Sequence, residues 1–386
     1  MAHQPPVLHR YANARRLLPI KAAHLSVRSL ACRPRERVCL RGVSFDVERG
    51  ELLSLVGPAG SGKSLLLRVI AGLDEPDGGR VYLDGEDITD LPPGRRAIRM
   101  AFPSGALAPH LPLRDLLSPS PRFALLRGRQ GEALLRAQLE LIAPPLLAHL
   151  GARFGRLPPE VQAQATIAWA LLRGPRLLLL DDPLARVDQP LRGQLARHLK
   201  RLVEALGITT IYATLDQSEG LTIGHRIAVL NDGEFEQLGT AQGLQTLPRN
   251  LFVATWVHHG GLNLFTLRSD LDAPGGPVLS GTGLVLPLES HWVERLRRRH
   301  EVVVAVLPEK LGVTDSEKGA LYRATVRAVE PLLWERRKRL HLSGPAGEQV
   351  AVVPQGVLAY RGMAVGVTFD LADALLFDRA SGQALW

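Results

Sequence analysis

Short apolar runs alternate with amphipathic stretches over residues 22 to 239. The runs Leu52 to Val56 and Leu177 to Leu180 are β-rich, whereas Ser64 to Ala71 has the spacing of a helix. This alternation predicts a mixed α/β core. A stretch rich in Leu, Ala and Pro at about residues 103 to 160 predicts a helical subdomain inserted in that core.

Two turns with glycine predict β-hairpins within this part of the chain. The first, Arg80 to Ile88, turns about Asp84-Gly85, and the second, Arg226 to Leu238, turns about Asn231-Asp232-Gly233. Asp-Gly pairs between apolar runs favour tight two-residue hairpin turns.

The pattern changes after Thr240. Val-rich alternating runs such as Glu301 to Val306 follow one another, separated by Gly and Pro about every ten residues. One helical pattern, Glu289 to Arg299, interrupts them. Residues 240 to 386 are therefore predicted to be a separate β-domain, either a small β-barrel, for which an OB-like barrel is the preferred fold, or a β-sandwich. Residues 1 to 21 are predicted to be a basic N-terminal extension.

Composition excludes several classes of protein. The 386 residues, 46% hydrophobic and 22% charged, are typical of packed globular domains, and no apolar run is long enough for a membrane span. The two cysteines, Cys32 and Cys39, are too few for a disulfide framework. A net charge of 47 − 38 = +9 suits a chain that binds phosphates, an anionic membrane surface or nucleic acid.

A glycine-rich loop carries the strongest chemical signal. It follows the strand Leu52 to Val56 and opens a helix, as a phosphate loop does. Its backbone N–H groups would surround a triphosphate, Lys63 would reach the β- and γ-phosphates, and Ser64 would bind Mg²⁺. The predicted nucleotide-binding residues are Gly57, Pro58, Ala59, Gly60, Ser61, Gly62, Lys63, Ser64 and Leu65.

Two adjacent carboxylates follow the buried run Leu177 to Leu180. Asp181 lies at the end of this strand, where nucleotide enzymes of this type hold the metal, so Ser64 and Asp181 are the predicted Mg²⁺ ligands. A hydrophobic strand that ends in an acid is common, and the interpretation depends on the phosphate loop before it. The loop and this carboxylate together predict binding of a nucleoside triphosphate with Mg²⁺.

The order of these segments resembles the ATP-binding subunits of ABC transporters, specifically those of maltose-type carbohydrate importers. The resemblance rests on Leu177 to Asp188, Thr209-Thr210-Ile211-Tyr212 and Arg226 to Gly239 in the P-loop ATPase domain, residues 22 to 239. The segments of residues 240 to 386 that are similar to the family's C-terminal regulatory domain are Asn263-Leu264, Leu307-Pro308-Glu309 and Leu376-Phe377-Asp378.

The resemblance implies a dimeric ATPase at the cytoplasmic face of the cell membrane, peripheral to it, that drives two transmembrane permease subunits. Each ATP would lie between one subunit's phosphate loop and the other's signature motif. Sugar import would be the function, and the second ATP-binding subunit would be an intact homologue or a copy of this chain.

Several family positions are altered in this sequence. The signature Leu-Ser-Gly-Gly-Gln is replaced by Leu157-Pro158-Pro159-Glu160-Val161. Because proline has no N–H, Pro158 and Pro159 remove two donors to the γ-phosphate, and Glu160 adds negative charge beside it.

The positions that would face the attacking water are altered as well. The family's glutamine after Phe102 is Pro103, and its histidine after Thr214 is Leu215. The family's catalytic glutamate is replaced by Asp182, the predicted catalytic residue, whose carboxylate stands on a shorter side chain.

Two lesser departures lie at the nucleotide. Leu65 replaces a threonine, and residues 30 to 36 contain no aromatic side chain to stack on adenine. Together the departures favour a weakened ATPase.

Two alternatives remain open from the sequence. The first is a fully active transporter ATPase that tolerates these changes. The second is nucleic-acid binding through the basic clusters Arg297-Arg298-Arg299-His300 and Arg336-Arg337-Lys338-Arg339, which lie near Trp292 and Trp334. Charge runs of this length are more often solvated turns or helix faces, so nucleic acid is not an expected partner. Adjacent His258 and His259 are expected to be loop residues rather than metal ligands.

Overall fold

The computed structural model describes residues 23–33, 39–102, 107–118, 129–259, 261–297, 301–316, 319–332 and 335–386. The chain divides into two compact units, Met1–Gly243 and Leu244–Trp386. The N-terminal extension, Pro103, Trp334 and residues 34–36 lie outside the described residues, so the predictions made for them are not tested.

The first unit contains ten strands among its described residues. They are β1 (Leu25–Cys32), β2 (Leu40–Val47), β3 (Leu52–Val56), β4 (Gly78–Leu83), β5 (Glu86–Asp87), β6 (Ile98–Ala101), β7 (Leu177–Asp181), β8 (Thr209–Thr214), β9 (Arg226–Asn231) and β10 (Glu234–Gly239). A sheet in the order β10-β9-β3-β8-β7-β6 is parallel apart from its β9–β10 pair. An antiparallel sheet has the order β2-β1-β4-β5.

Helices cover the parallel sheet. They are α1 (Lys63–Ala71), α2 (Leu113–Leu117), α3 (Arg129–Ile142), α4 (Pro159–Leu171), α5 (Gln189–Leu206) and α6 (Gln217–Ile223), and α7 (Ala241–Thr246) contains the boundary between the units. Short 3₁₀ turns occur at Pro93–Arg95, Pro144–His149 and Phe154–Arg156.

Strand alternation distributes the apolar side chains of β7 between two cores. Leu177 and Leu179 pack in the cluster that contains α1, whereas Leu178 and Leu180 pack in the cluster that contains α4 and α5. A parallel strand buried on both faces requires such an unbroken apolar run. Asp181, one residue after Leu180, therefore lies on the α1 face of the sheet.

Both predicted hairpins are confirmed. Leu83 pairs with Glu86 across Asp84-Gly85, and Asn231 pairs with Glu234 across Asp232-Gly233. All four turn residues have positive φ, from 44° at Asp232 to 85° at Gly85. This is the backbone that a type I′ turn requires and that Asp-Gly accommodates.

The second unit is built from two five-stranded sheets, in which all the strand pairs are antiparallel. Their orders are β13-β12-β11-β14-β20 and β15-β19-β16-β17-β18. Side chains from both sheets, among them Phe265 and Leu340, share one apolar core. A regulatory domain like a β-barrel, as predicted, fits this arrangement.

The elements of this unit are β11 (Asn263–Asp270), β12 (Val278–Gly281), β13 (Leu284–Pro287), β14 (Glu301–Val306), β15 (Gly312–Thr314), β16 (Tyr322–Leu332), β17 (Arg337–Gly344), β18 (Gly347–Pro354), β19 (Ala364–Thr368), β20 (Leu375–Asp378), α8 (Leu251–Val257) and α9 (Ser290–Leu296), with a 3₁₀ turn at Leu371–Asp373. The predicted helix over Glu289 to Arg299 corresponds to α9. Across the described residues, no helix has both the length and the apolar character needed to cross a membrane.

Candidate nucleotide-binding site

The glycine-rich loop lies between β3 and α1, at the carboxyl end of the parallel sheet. A cavity of about 340 Å³ is lined by residues from the loop and from the ends of β7 and β8: Ala59, Gly60, Ser61, Gly62, Lys63, Ser64, Leu65, Asp181, Asp182, Ala213, Thr214 and Leu215. Ligands of open α/β sheets bind at this end of the strands. The fold thus brings the predicted loop and both predicted carboxylates to one cavity, with Gly57 and Pro58 adjacent in the loop.

Two glycines of the loop have structural reasons to be glycine. A Cβ on Gly57 would lie 1.9 Å from the Leu230 carbonyl oxygen. Gly62, the N-cap residue of α1, has φ of 106°, a conformation that residues with a side chain rarely adopt. The backbone can therefore curve closely around a bound group at the N-terminus of α1.

Lys63 directs its ammonium group into this loop. Its Nζ donates hydrogen bonds of 2.8 Å to the carbonyl oxygens of Gly57 and Pro58, and a longer one of 3.2 Å to Ser61 Oγ. The side chain is only 7% exposed. Burial lowers the pKa of Lys63 to about 8, while Asp182 and Asp181 oppose that change. A buried cation held by carbonyl dipoles is a suitable partner for an anionic phosphate.

Ser64 and Asp181 lie in contact although 117 residues separate them in the chain. Ser64 Oγ donates a 2.9 Å hydrogen bond to Asp181 Oδ1. Burial raises the pKa of Asp181, whereas the Ser64 hydrogen bond and Lys63 lower it. Both predicted metal ligands are thus oxygen donors at one point of the cavity.

This donor set fits Mg²⁺ bound together with a triphosphate. Among the described residues, no group of three or more His, Cys, Asp or Glu side chains forms a metal site, so protein ligands alone would not complete an octahedron. Mg²⁺ commonly binds one or two protein oxygens and completes its shell with phosphate oxygens and water. When bound, it would neutralise phosphate charge beside Lys63.

Asp182 has an unusual backbone conformation. Its φ is 41°, in the left-handed region, and its N–H donates to the Ala213 carbonyl oxygen at 2.8 Å. Burial and then the negative charge of Asp181 raise the pKa of Asp182, with Arg192 and Lys63 opposing. Strain of this kind is concentrated at functional sites. The carboxylate is held in the cavity on a stem one methylene shorter than that of glutamate.

Leu215 lines the cavity beyond β8, and 51% of it is exposed. An exposed leucine can neither donate a hydrogen bond to a phosphate nor accept one from water. Thr214, its neighbour, is buried, and its hydroxyl accepts the N–H of Asp216. The side of the cavity formed by β8 is therefore apolar where the resemblance leads one to expect an imidazole.

The substituted signature segment begins helix α4. Pro158 is the N-cap residue, and its carbonyl accepts the N–H groups of Val161 and Gln162 at 3.0 and 2.9 Å. Pro159 is the first helical residue and has no N–H. Of the first turn, only the Glu160 N–H is therefore left outside these hydrogen bonds, and Glu160 brings a carboxylate to the same end.

Glu219 and Arg192 were not predicted as site residues from the sequence. Arg192, on α5, donates to the carbonyl oxygens of Ala185 and Val187 just after Asp182, and to Asp216 Oδ2 at 3.5 Å. Glu219, on α6, is buried beside β8. The only sequence signal for Glu219 is its position three residues after Asp216, a spacing typical of a helix N-terminus, where the side chain would be solvated.

The basic clusters of the second unit do not form a comparable cavity among the described residues. Arg339 pairs with Glu330 at 3.0 Å across β16 and β17, and Trp292 is covered by the Arg295 guanidinium at 5.6 Å. Arg298, Arg299 and His300 lie outside the described residues. Nothing among the described residues of this surface favours nucleic-acid binding.

Comparison with known proteins gives consistent matches. A family model described as ABC transporter matches residues 40–185. The spermidine/putrescine import ATP-binding protein PotA of Trichormus variabilis is 35% identical over 274 residues, which are 70% of this chain and 71% of that protein. The alpha-glucoside transport ATP-binding protein AglK of Rhizobium meliloti is 32% identical over 354 residues, which are 89% of this chain and 94% of that protein. A solved nucleotide-free ATP-binding cassette from an ABC transporter aligns with a TM-score of 0.48 and 26% identity, over 56% of this chain and 91% of that one.

Proposed function

Because this chain belongs to the ATP-binding proteins of ABC transporters, we propose that it is the ATP-binding subunit of an importer and a catalytically weakened member of its ATPase dimer. It would work at the cytoplasmic face of the membrane, bound to transmembrane permease subunits.

One observation carries the nucleotide-binding part of this proposal. The buried Lys63 ammonium, the curved loop and the Ser64–Asp181 pair share one cavity at the N-terminus of a helix. These groups supply positioning and positive potential for a triphosphate without any altered residue. Mg-ATP binding is thus expected to be intact.

The proposed weakness in hydrolysis rests on other groups. Asp182 has a short side chain, the Leu215 side chain has no polar atom, and the first turn of α4 keeps one N–H outside its own hydrogen bonds, beside the Glu160 carboxylate. Hydrolysis requires charge stabilisation and water held in position, and each lost donor to a charged group lowers that stabilisation by about 1.5–3 kcal/mol. A site built from two copies of this chain would combine all these defects.

For the cargo we propose a carbohydrate. The α-glucoside relative aligns over nearly all of this chain, including most of the second unit. A polyamine is the second candidate, since the spermidine/putrescine relative aligns at higher identity over a shorter length. Uptake of a labelled α-glucoside and of labelled spermidine, each with and without this chain in cells, separates the two candidates.

The test of the proposed role is ATP turnover by the purified transporter complex, with the phosphate-loop lysine replaced by alanine in each ATP-binding subunit in turn. Loss of Mg-ATP binding in Lys63→Ala, with turnover retained at the partner's phosphate loop, supports a weakened subunit. Equal loss of turnover from either replacement would instead indicate a fully active ATPase.

A further inference from the structure

Glu219 is a buried carboxyl group that lies outside the lining of the nucleotide cavity. It lies in the first turn of α6, and only 5% of its surface is exposed. Its Oε1 accepts a hydrogen bond from the Tyr212 hydroxyl on β8. Its Oε2 is also buried but has no hydrogen-bond partner among the described residues. Burial of a carboxylate oxygen without a donor is unfavourable, so these surroundings favour the neutral acid.

The packing of α6 holds the backbone that carries Glu219 close to the sheet. The next residue is Gly220, where a Cβ would lie 2.3 Å from Val56 Cγ1 of β3. The N–H of Glu219 is held by Asp216 Oδ1 at 2.9 Å. Helix α6 is thus in close contact with the sheet at the residue that follows Glu219.

The charged groups around Glu219 give it little compensation. Asp182 faces it from the loop after β7, and Arg192 faces it from α5. The Arg192 guanidinium already contacts Asp216 and the carbonyl oxygens of Ala185 and Val187. Lys200, also on α5, donates to the Thr222 carbonyl oxygen at the far end of α6.

These groups also determine where Glu219 titrates. Burial, and then the negative charge of Asp182, raise the pKa of Glu219 to about 7, and Arg192 opposes them. Lys63, in the cavity itself, has a pKa lowered to about 8.

We propose that Glu219 is a positioning residue that acts on the nucleotide through Asp182, binding a proton when Mg-ATP binds tightly and releasing it to solvent when binding weakens. With its proton, Glu219 is neutral and adds no charge to the surroundings of Asp182. Without it, a third negative charge is added to those of Asp181 and Asp182, while Lys63 is the only cation among the described residues that line the cavity. This inference rests on the proposed function, because it assumes that the cavity binds Mg-ATP.

The test compares the full-length chain with Glu219→Gln, which preserves shape and a carbonyl acceptor for Tyr212 but cannot ionise. Mg-ATP affinity is measured by calorimetry between pH 6 and 8. The wild-type affinity is expected to fall about threefold to tenfold more than that of the variant over this interval, because the wild type gains one negative charge that repels the phosphates. The pH dependence of Lys63 and ATP is common to both proteins. Exposed Glu294 provides the control, because Glu294→Gln should keep the wild-type profile.

Infrared difference spectra of the nucleotide-free proteins between pH 6 and 8 provide a readout independent of binding. A protonated-carboxyl band that is lost at high pH in the wild type and absent from Glu219→Gln supports the proposal, and its persistence in the variant contradicts it. Should Glu219→Gln not fold, Tyr212→Phe replaces it. Removing a donor to the carboxylate should move the midpoint to higher pH, and an unchanged midpoint overturns the proposal.

The calorimetric outcomes also separate this inference from the proposed function. Intact binding with identical pH profiles in wild type and Glu219→Gln overturns the inference alone. Absence of Mg-ATP binding at every pH overturns the proposed function and the inference with it.

Discussion

At the scale of single residues, the cavity combines the groups that we propose hold the nucleotide with altered groups at the positions proposed to act on it. Lys63, Ser64 and Asp181 make mutual or loop contacts of 2.8–3.2 Å. Leu215 and Asp182 line the same cavity. The Leu215 side chain has no polar atom, and the Asp182 carboxylate stands on a shorter side chain than that of glutamate. Binding and hydrolysis should therefore respond separately to mutation.

Lys63→Ala should abolish measurable Mg-ATP binding at millimolar nucleotide, because the only cation of the described cavity lining is removed. Isothermal titration calorimetry on the folded chain measures the effect. Lys310→Ala, at an ion pair in the second unit, is the matched control and should bind as the wild type does. Undiminished binding by Lys63→Ala would show that the nucleotide lies elsewhere, and no binding by the wild type would contradict the site altogether.

Glu219→Gln should make the free energy of unfolding less dependent on pH. The pKa of Glu219 is raised from 4.5 to about 7, so its contribution to stability is complete below pH 4.5 and is lost as pH rises through 7. At 1.36 kcal/mol per pH unit, this interval corresponds to about 3 kcal/mol. Urea denaturation at pH 5 and pH 8 should show the wild type losing up to that amount relative to the variant. Parallel losses in both proteins would contradict a buried, neutral Glu219.

At the scale of elements, the ends of the helices and their contacts with the sheet determine which N–H groups and side chains are available to bind an anion. Helix α1 opens with Gly62 in the left-handed region and leaves its N–H groups directed at the loop. Helix α4 opens with two prolines and an acid, so the corresponding end of this helix is a poor anion site. Helix α6 can pack closely against β3 because its residue at the contact, Gly220, has no side chain.

Gly220→Ala should destabilise the first unit by about 1–3 kcal/mol, because the added methyl group would overlap Val56 and displace α6 from the sheet. Gly151→Ala is the control, since a Cβ there meets open space. Chemical denaturation measures both variants. Equal stability of the two variants would show that α6 can shift away from β3 without cost, and that the backbone at Glu219 is therefore not held in place.

At the scale of the whole molecule, the chain joins an ATP-binding unit to a β-rich unit with a core of its own. Among the relatives that align with it are an ATP-binding protein of spermidine/putrescine import and an ATP-binding protein of alpha-glucoside transport. In an ABC dimer, the defects of α4 and those of Asp182 and Leu215 would act in opposite halves of each shared site. Two identical copies would thus make two equally defective sites.

The purified chain alone should turn over ATP far below the ordinary enzymatic range, which is on the order of 1 to 10³ per second. Paired with an intact homologue, a Pro158→Ser, Pro159→Gly double variant should raise turnover, because two N–H donors return to the partner's site. Restored donors to a charged group at about 1.5–3 kcal/mol each predict at least a tenfold increase. Phosphate release assays measure both quantities. Ordinary turnover by the chain alone, abolished by Lys63→Ala, would contradict the weakened-subunit proposal.

Local patterns in the sequence were sufficient for the phosphate loop, the two Asp-Gly hairpins, the apolar β7 run and the β-rich second unit. Each depends on residues close together in the chain, where glycine conformation and strand alternation act directly. The Ser64–Asp181 contact, the positive φ of Asp182 and the burial of Glu219 depend on residues far apart in sequence. At Glu219, local spacing predicts a solvated end of a helix. In the folded chain α6 lies close to the sheet at Gly220, and the Glu219 side chain contacts Tyr212. Its burial therefore depends on residues that only folding brings together.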